Sequence, residues 1–343
     1  MDRRLILAVA GSGKTTYLIK LINLEKSFLI VTYTENNLYN IRRRIINKFG
    51  YMPNNITIMT YFKFLIHVCY RPFLKDEIKA KGITWNIPEN YTRYMKGKLY
   101  YMTKNGFLYY NRLSKLCQTY CAKDIKERIE KFYDCYMFDE IQDLGGHDFD
   151  FIQNILPTNI DCILVGDFYQ HTFETSNDGN IATGLYKDYT KYKKKWSKTR
   201  IEIDEKTLSN SYRCSPTICN FVSQHLGIKI ASHRHDNTTI HIINKQDEAD
   251  KLFRDDSKVK LFYKEAQKYP CISENWGNSK GLDSFQNICI VLNKTTLKAF
   301  NENKLNQLPQ STLNKFYVAC TRAKGDIYFI PHTFIDHYKR QTM

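Results

Sequence analysis

The stretch AVAGSGKTT, Ala8 to Thr16, has the residue types and spacing of a phosphate grip. Gly11 and Gly13 put no side chain between backbone N–H groups and a phosphate oxygen. The helix expected next turns its positive end toward the anion. Lys14 is spaced to reach the β- and γ-phosphates and the Thr15 hydroxyl to ligate Mg²⁺, with Ser12 and Thr16 completing the nucleotide-binding set. The general pattern begins on glycine, and Ala8 holds that place here.

A second constellation is MFDEIQDL, residues 137–144, where an apolar run ends in two adjacent carboxylates. Asp139 suits a Mg²⁺ ion held through its water shell, and Glu140 suits the polarisation of an attacking water. In CILVGDFYQ, residues 162–170, Gln170 follows another strand end, where a neutral amide can sense a γ-phosphate. Two distant arginines, Arg213 in SYRCSPT and Arg322 in YVACTRAKGD, are candidate arginine fingers. The plainer alternatives are strand-capping surface acids and surface ion pairs, the latter worth little.

These residues need elements to hold them. Short apolar runs recur as LILAVA (5–10), SFLIVTY (27–33), NITIMT (55–60), CYMFDE (135–140), DCILVG (161–166) and NICIVL (287–292). Each has strand length, and helix-like stretches such as Thr15–Leu24 and Leu38–Lys48 lie between them. Such alternation predicts an α/β fold of parallel sheets covered by helices, with ligands at the carboxyl ends of the strands. Two segments break the pattern. Residues 66–135 are basic and aromatic, and KLYYMTKNGFLYYNRL (98–113) reads as a hairpin around Asn105-Gly106. Residues 225–270 read as irregular and polar, with His233, His235 and His241 as solvated loop histidines.

Lysine and arginine outnumber aspartate and glutamate by 51 to 35 in 343 residues, which favours a polyanionic partner. The run YKDYTKYKKKWSKTR (186–200) interleaves lysines with Tyr186, Tyr189, Tyr192 and Trp196. Two readings stay open for it: rings stacked on bases, or a helix with buried rings and a solvated basic face. The ten cysteines form no CxxC pair, so free thiols in a reducing compartment are expected. No apolar run has the length of a membrane span. The apolar start runs straight into the phosphate loop, so it is not read as a cleaved signal. A soluble, intracellular, cytoplasmic protein is expected.

Taken together and in order, the motifs resemble those of superfamily 1 helicases of the UvrD/Rep kind. AVAGSGKT resembles motif I, VTYTENN (31–37) motif Ia, MTYF (59–62) motif Ib and FDEIQD motif II. VGDFYQ resembles motif III, SYRCS motif IV, SKGLDSF (279–285) motif V and YVACTRAK motif VI. The resemblance implies two RecA-like P-loop domains, 1–200 and 201–343, with ATP between them and single-stranded DNA across their top. It implies that Tyr212 stacks on the nucleotide base and that Asp283 takes the ribose-contacting position. It further implies that Tyr33 and Thr60 touch DNA and that Phe173 stacks on a base. Several residues depart from the family pattern. No glutamine lies in residues 1–7, Ser211 replaces an asparagine, and ETSND follows Phe173 in place of Trp-Arg-Gly. About fifty residues separate the motif IV helix from motif V, too few for the second-domain insertion, which implies a short form.

The expected function is therefore an ATP-dependent translocase or helicase on single-stranded DNA or a partial duplex. It would use ATP and Mg²⁺, and the resemblance implies 3′-to-5′ movement. The rival readings are a nucleotide-gated adaptor working beside a nuclease partner, and an RNA-directed ATPase.

Overall fold

The computed structural model describes residues 1–89, 94–172 and 184–340. The chain divides into two compact units. The first comprises Met1–Ile6, Lys14–Gly166 and Glu174–Asp204, and the second Leu7–Gly13, Asp167–Phe173 and Glu205–Met343.

A six-stranded sheet organises the first unit, in the order Ile56–Thr60, Phe28–Thr32, Cys135–Asp139, Asp161–Gly166, Arg3–Leu7, Glu202–Asp204. Pairing is parallel from Ile56–Thr60 through Asp161–Gly166, and again between Arg3–Leu7 and Glu202–Asp204. Phe28–Thr32 and Cys135–Asp139 are buried along their whole length, as expected of parallel strands covered on both faces. The helix Glu35–Phe49 starts where the Thr34 hydroxyl accepts from Asn37 N, and it stops at Gly50 in the left-handed region.

The second unit carries a five-stranded sheet, ordered Ile240–Ile242, Ile327–Pro331, Ile288–Leu292, Val259–Phe262, Ser273–Asn275, with every neighbouring pair parallel. Trp276, Phe316, Tyr317 and Phe329 are fully buried against it. Each such large side chain removed from water contributes on the order of 1.5–3 kcal/mol. Together these features give the α/β fold with parallel sheets that the periodicity predicts.

The strand read as LILAVA is Arg3–Leu7, because Ala8 already leaves the sheet as part of the loop. The polar segment 225–270 holds more order than its composition suggests. Val259–Phe262 is a buried internal strand, disguised by Lys260, whose Nζ donates to Asp255 O at 2.6 Å. The hairpin at 98–113 forms only as a turn. Gly106, at φ 86°, donates to Thr103 O, and Met102 and Leu108 make one antiparallel bridge. The first arm instead coils as the helix Lys98–Tyr101, with the Arg112 guanidinium 4.1 Å from the Tyr100 ring centroid and donating to Tyr100 O. The second arm, Phe107–Tyr109, pairs parallel with Gly82–Thr84. For 186–200 the structure selects burial: Tyr192 and Trp196 are wholly enclosed and Tyr186 nearly so. Phe149 packs edge-on against Trp196, which explains why these rings face inward.

Candidate nucleotide site

In the first unit, the site is built at the carboxyl end of the strand Cys135–Asp139 and the start of the helix Lys14–Leu21. The Thr15 hydroxyl donates to Asp139 Oδ2 at 3.0 Å, and Lys14 Nζ lies 3.5 Å from Glu140 Oε1. Asp139 Oδ1 accepts from Glu140 N at 3.0 Å. Glu140 stands at φ 60° and ψ 44°, a left-handed conformation costly for a side-chain-bearing residue. That bend aims the two neighbouring carboxylates in different directions, one toward Thr15 and one toward Lys14. Burial first, and then the Glu140 charge, push Asp139 up to about 7, while Lys14 and the Thr15 hydroxyl oppose the rise. A divalent cation between Thr15 and Asp139 would hold that carboxyl ionised.

Gln142 was not singled out in the sequence, yet it donates through Nε2 to Glu140 Oε2. It fits there because residue 166 is glycine: a Cβ at Gly166 would stand 2.5 Å from Gln142 Oε1. The signal was present as the glutamine of FDEIQD. Thr16 accepts from Arg44 Nη1 at 2.7 Å, a contact with the neighbouring helix Glu35–Phe49.

In the second unit, the loop residues Gly11 and Gly13 take φ 70° and 84°. A Cβ on Gly11 would lie 2.6 Å from Arg213 Cβ and 2.7 Å from Ser211 Oγ, so only glycine fits. Gly11 O accepts from Tyr212 N at 2.9 Å. The Ser12 hydroxyl is buried with no hydrogen-bond partner among the described residues. An orphaned hydroxyl between two left-handed glycines, followed directly by Lys14 and Thr15, fits a bound phosphate group with its Mg²⁺.

Arg213 and Arg322 converge within the second unit. Arg213 Nη2 lies 2.5 Å and Arg322 Nη1 3.4 Å from the same oxygen, Asp283 Oδ1. Arg322 is buried, and burial together with the Arg213 charge lowers its pKa to about 10, still a cation at neutral pH. Asp283 therefore serves both guanidiniums as counter-ion. Arg234, which sequence reading passed over, braces the pair by donating to Arg213 O and, at 2.6 Å, to Lys324 O.

Gln170 donates to Asp167 Oδ2 at 2.9 Å. The same oxygen accepts from the Tyr317 hydroxyl at 3.0 Å, and that hydroxyl accepts from Ala10 N at 2.8 Å. A hydrogen-bonded line thus runs from Gln170 to the phosphate loop. Tyr317 and Asp167 stand inside the quoted motifs but were not identified from them. Tyr212 is 63% exposed, and its ring stacks on His233 at 4.0 Å.

Of the residues assigned to DNA, Tyr33 stacks on Tyr61 with centroids 6.4 Å apart. The Thr60 hydroxyl accepts from Lys63 N as the cap of the helix Tyr61–Phe64. Phe173 lies outside the described residues. Among the described residues no cluster of three or more His, Cys, Asp or Glu could hold a metal, and no helix is long and apolar enough to cross a membrane.

No protein-family model matches the chain, and no curated protein matches it. Among solved structures, it is similar to the arterivirus nonstructural protein 10 helicase in complex with DNA, at 13% identity and a TM-score of 0.50, covering 95% of this chain and 60% of that one. It is similar also to the crystal structure of that arterivirus helicase alone, at 13% identity and a TM-score of 0.50, covering 95% of this chain and 59% of that one. The chain therefore spans about 60% of the length of these structures. At this identity the likeness carries the fold alone: an α/β architecture of parallel sheets, consistent with RecA-like domains.

Proposed function

We propose that this chain is an ATP-driven translocase on single-stranded DNA, acting as a helicase. The observation that carries this reading is the gathering of Lys14, Thr15, Asp139 and Glu140 at one strand end. When ATP binds, its phosphates compete with Glu140 for the Lys14 ammonium. Glu140 is thereby released to take a proton from the attacking water. Mg²⁺ held by Thr15 and Asp139 would neutralise charge on the β- and γ-oxygens. Arg213 and Arg322 exchange the exposed Asp283 carboxylate for the γ-phosphate and stabilise its charge as it leaves. The line from Gln170 through Asp167 and Tyr317 to the loop then responds to loss of that phosphate.

The finer assignment, a short form of the UvrD/Rep kind moving 3′ to 5′ with domains at 1–200 and 201–343, rests on the order of the motifs. In this reading Tyr212 takes the base, and Tyr33, Thr60 and Phe173 take the strand. The surplus of 51 basic over 35 acidic residues supports a polyanionic track.

The test is ATP hydrolysis with and without single-stranded DNA, followed by displacement of a labelled strand from duplexes with 3′ or 5′ overhangs. Strong stimulation and displacement from the 3′-tailed substrate are expected. Slow hydrolysis unchanged by DNA would replace the motor with a nucleotide-gated binder.

A further inference from the structure

Away from the nucleotide site, the first unit displays three rings in a row. Phe62, Trp85 and Tyr110 stand with successive ring centroids 4.9 Å apart. The sheet register produces this arrangement. Thr84 pairs with Tyr109, so the next residues of the two parallel strands, Trp85 and Tyr110, emerge side by side. Phe62 comes from the short helix that Thr60 caps. Trp85 is 63% exposed, whereas the other two tryptophans, Trp196 and Trp276, are fully buried. An indole braced by neighbouring rings yet left in water is apolar area that folding has not used.

The charge of the segment that carries Trp85 and Tyr110 indicates what would cover them. Residues 79–115 hold eight lysines and arginines against one acid, Glu89. Lys79, Lys81, Lys96, Lys98 and Lys104 are all exposed, and Lys81 lies along Gly106 of the adjacent turn. Rings interleaved with lysines suit a strand whose phosphates meet ammonium groups while its bases lie on aromatic faces. A duplex offers little to such a surface, because its bases are already stacked on one another.

We propose that the Phe62–Trp85–Tyr110 ladder is a base-stacking site for single-stranded nucleic acid, with Trp85 as the platform. It extends the strand's path beyond Thr60 and rests on the reading of the chain as a nucleic-acid motor. Stacking accounts for the ring geometry and the lysines account for the attraction, so the site tolerates any base sequence.

The burial of Trp196 and Trp276 makes Trp85 the natural reporter of its own site. The full chain is titrated with oligo(dT), with oligo(rU) and with a blunt duplex of the same length. Tryptophan emission is followed alongside the anisotropy of a labelled copy of each probe. Single strands are expected to quench the emission and the duplex to leave it nearly unchanged. Trp85→Ala should abolish the quench and weaken single-strand binding about tenfold, while Trp85→Phe should keep most of the affinity and confirm that the fold is intact. Quenching by oligo(rU) alone supports the ladder and overturns DNA as the track. Single-strand binding by anisotropy with no quench, and equal affinity for Trp85→Ala, overturns the ladder and leaves the motor reading standing. An equal quench by the duplex overturns base stacking. No binding of any probe overturns both the ladder and the motor.

Discussion

Arg213 and Arg322 end on the same oxygen of Asp283, at 2.5 and 3.4 Å. Two like charges held this close require an anion between them, and an exposed aspartate can yield that place to a phosphate. Lys14 has the same arrangement with Glu140. Each cation proposed to bind phosphate is thus already paired with a carboxylate. Arg322→Ala should lower the maximal rate of hydrolysis by about 10³-fold or more, with a much smaller change in nucleotide affinity. Steady-state kinetics checks this, and an unchanged kcat would remove Arg322 from the reaction.

Glu140→Gln keeps the shape of the side chain but removes its basicity. Nucleotide binding should persist and turnover should fall by about 10²–10⁴-fold. A fluorescent nucleotide titration beside a phosphate-release assay separates the two effects. Normal turnover in this variant would assign the base elsewhere.

Gly11→Ala puts a methyl group 2.6 Å from Arg213 Cβ at a residue with φ 70°. Gly50→Ala is the control, since φ is 82° there but nothing lies within 4 Å of the added carbon. The control should lose about 1–2 kcal/mol for the left-handed backbone alone. Gly11→Ala should lose more, together with nucleotide affinity, as read from urea unfolding and a binding titration. Equal losses would show that the close approach to Arg213 is unimportant.

Tyr317→Phe deletes the hydroxyl joining Ala10 N to Asp167 Oδ2. The buried amide of Ala10 loses its acceptor, at a cost of about 1–3 kcal/mol. Stimulation of hydrolysis by single strands should fall more than the basal rate, because the line from Gln170 to the loop is cut. Equal reductions in the two rates would make Tyr317 structural only.

Asp148 gives a pH-dependent prediction. Burial pushes its pKa up to about 6, against the lowering effect of the nearby Ser114 and of the hydrogen bond from the Tyr61 hydroxyl. The folded state therefore holds this proton where the unfolded chain, with a pKa of about 3.9, has released it. Stability falls as pH rises between those two values and then levels off. Asp148→Asn removes this term, so its advantage over the parent should open above about pH 4 and reach about 2–3 kcal/mol near neutrality. Melting temperatures from pH 4 to 8 check the sign, and parallel curves for the two proteins would refute it.

Much of the nucleotide site was readable before folding, because its chemistry depends on neighbours along the chain. Glycines flanking Ser12, with Lys14 and Thr15 next, specify a loop and the start of a helix wherever they occur. The apolar run before Asp139 and Glu140 specifies a strand end. Four buried strands were likewise visible as apolar runs. Val259–Phe262 was not, because Lys260 is kept buried by a carbonyl that no local pattern announces. The Asn105-Gly106 turn was legible too, but what its arms did was decided by Arg112 lying over Tyr100.

Order along the chain specified the phosphate loop, the paired acids and the alternation of strand and helix, since those follow from φ/ψ preference and from periodicity. Packing alone determined that Arg213 and Arg322 share Asp283 and that Gln142 reaches Glu140 over Gly166. It alone turned Tyr192 and Trp196 inward and left Trp85 in water. The physical reason is that contacts between distant residues depend on how whole faces fill space. Whether a ring or a charge is buried is decided by its neighbours in three dimensions, and a linear pattern does not contain them.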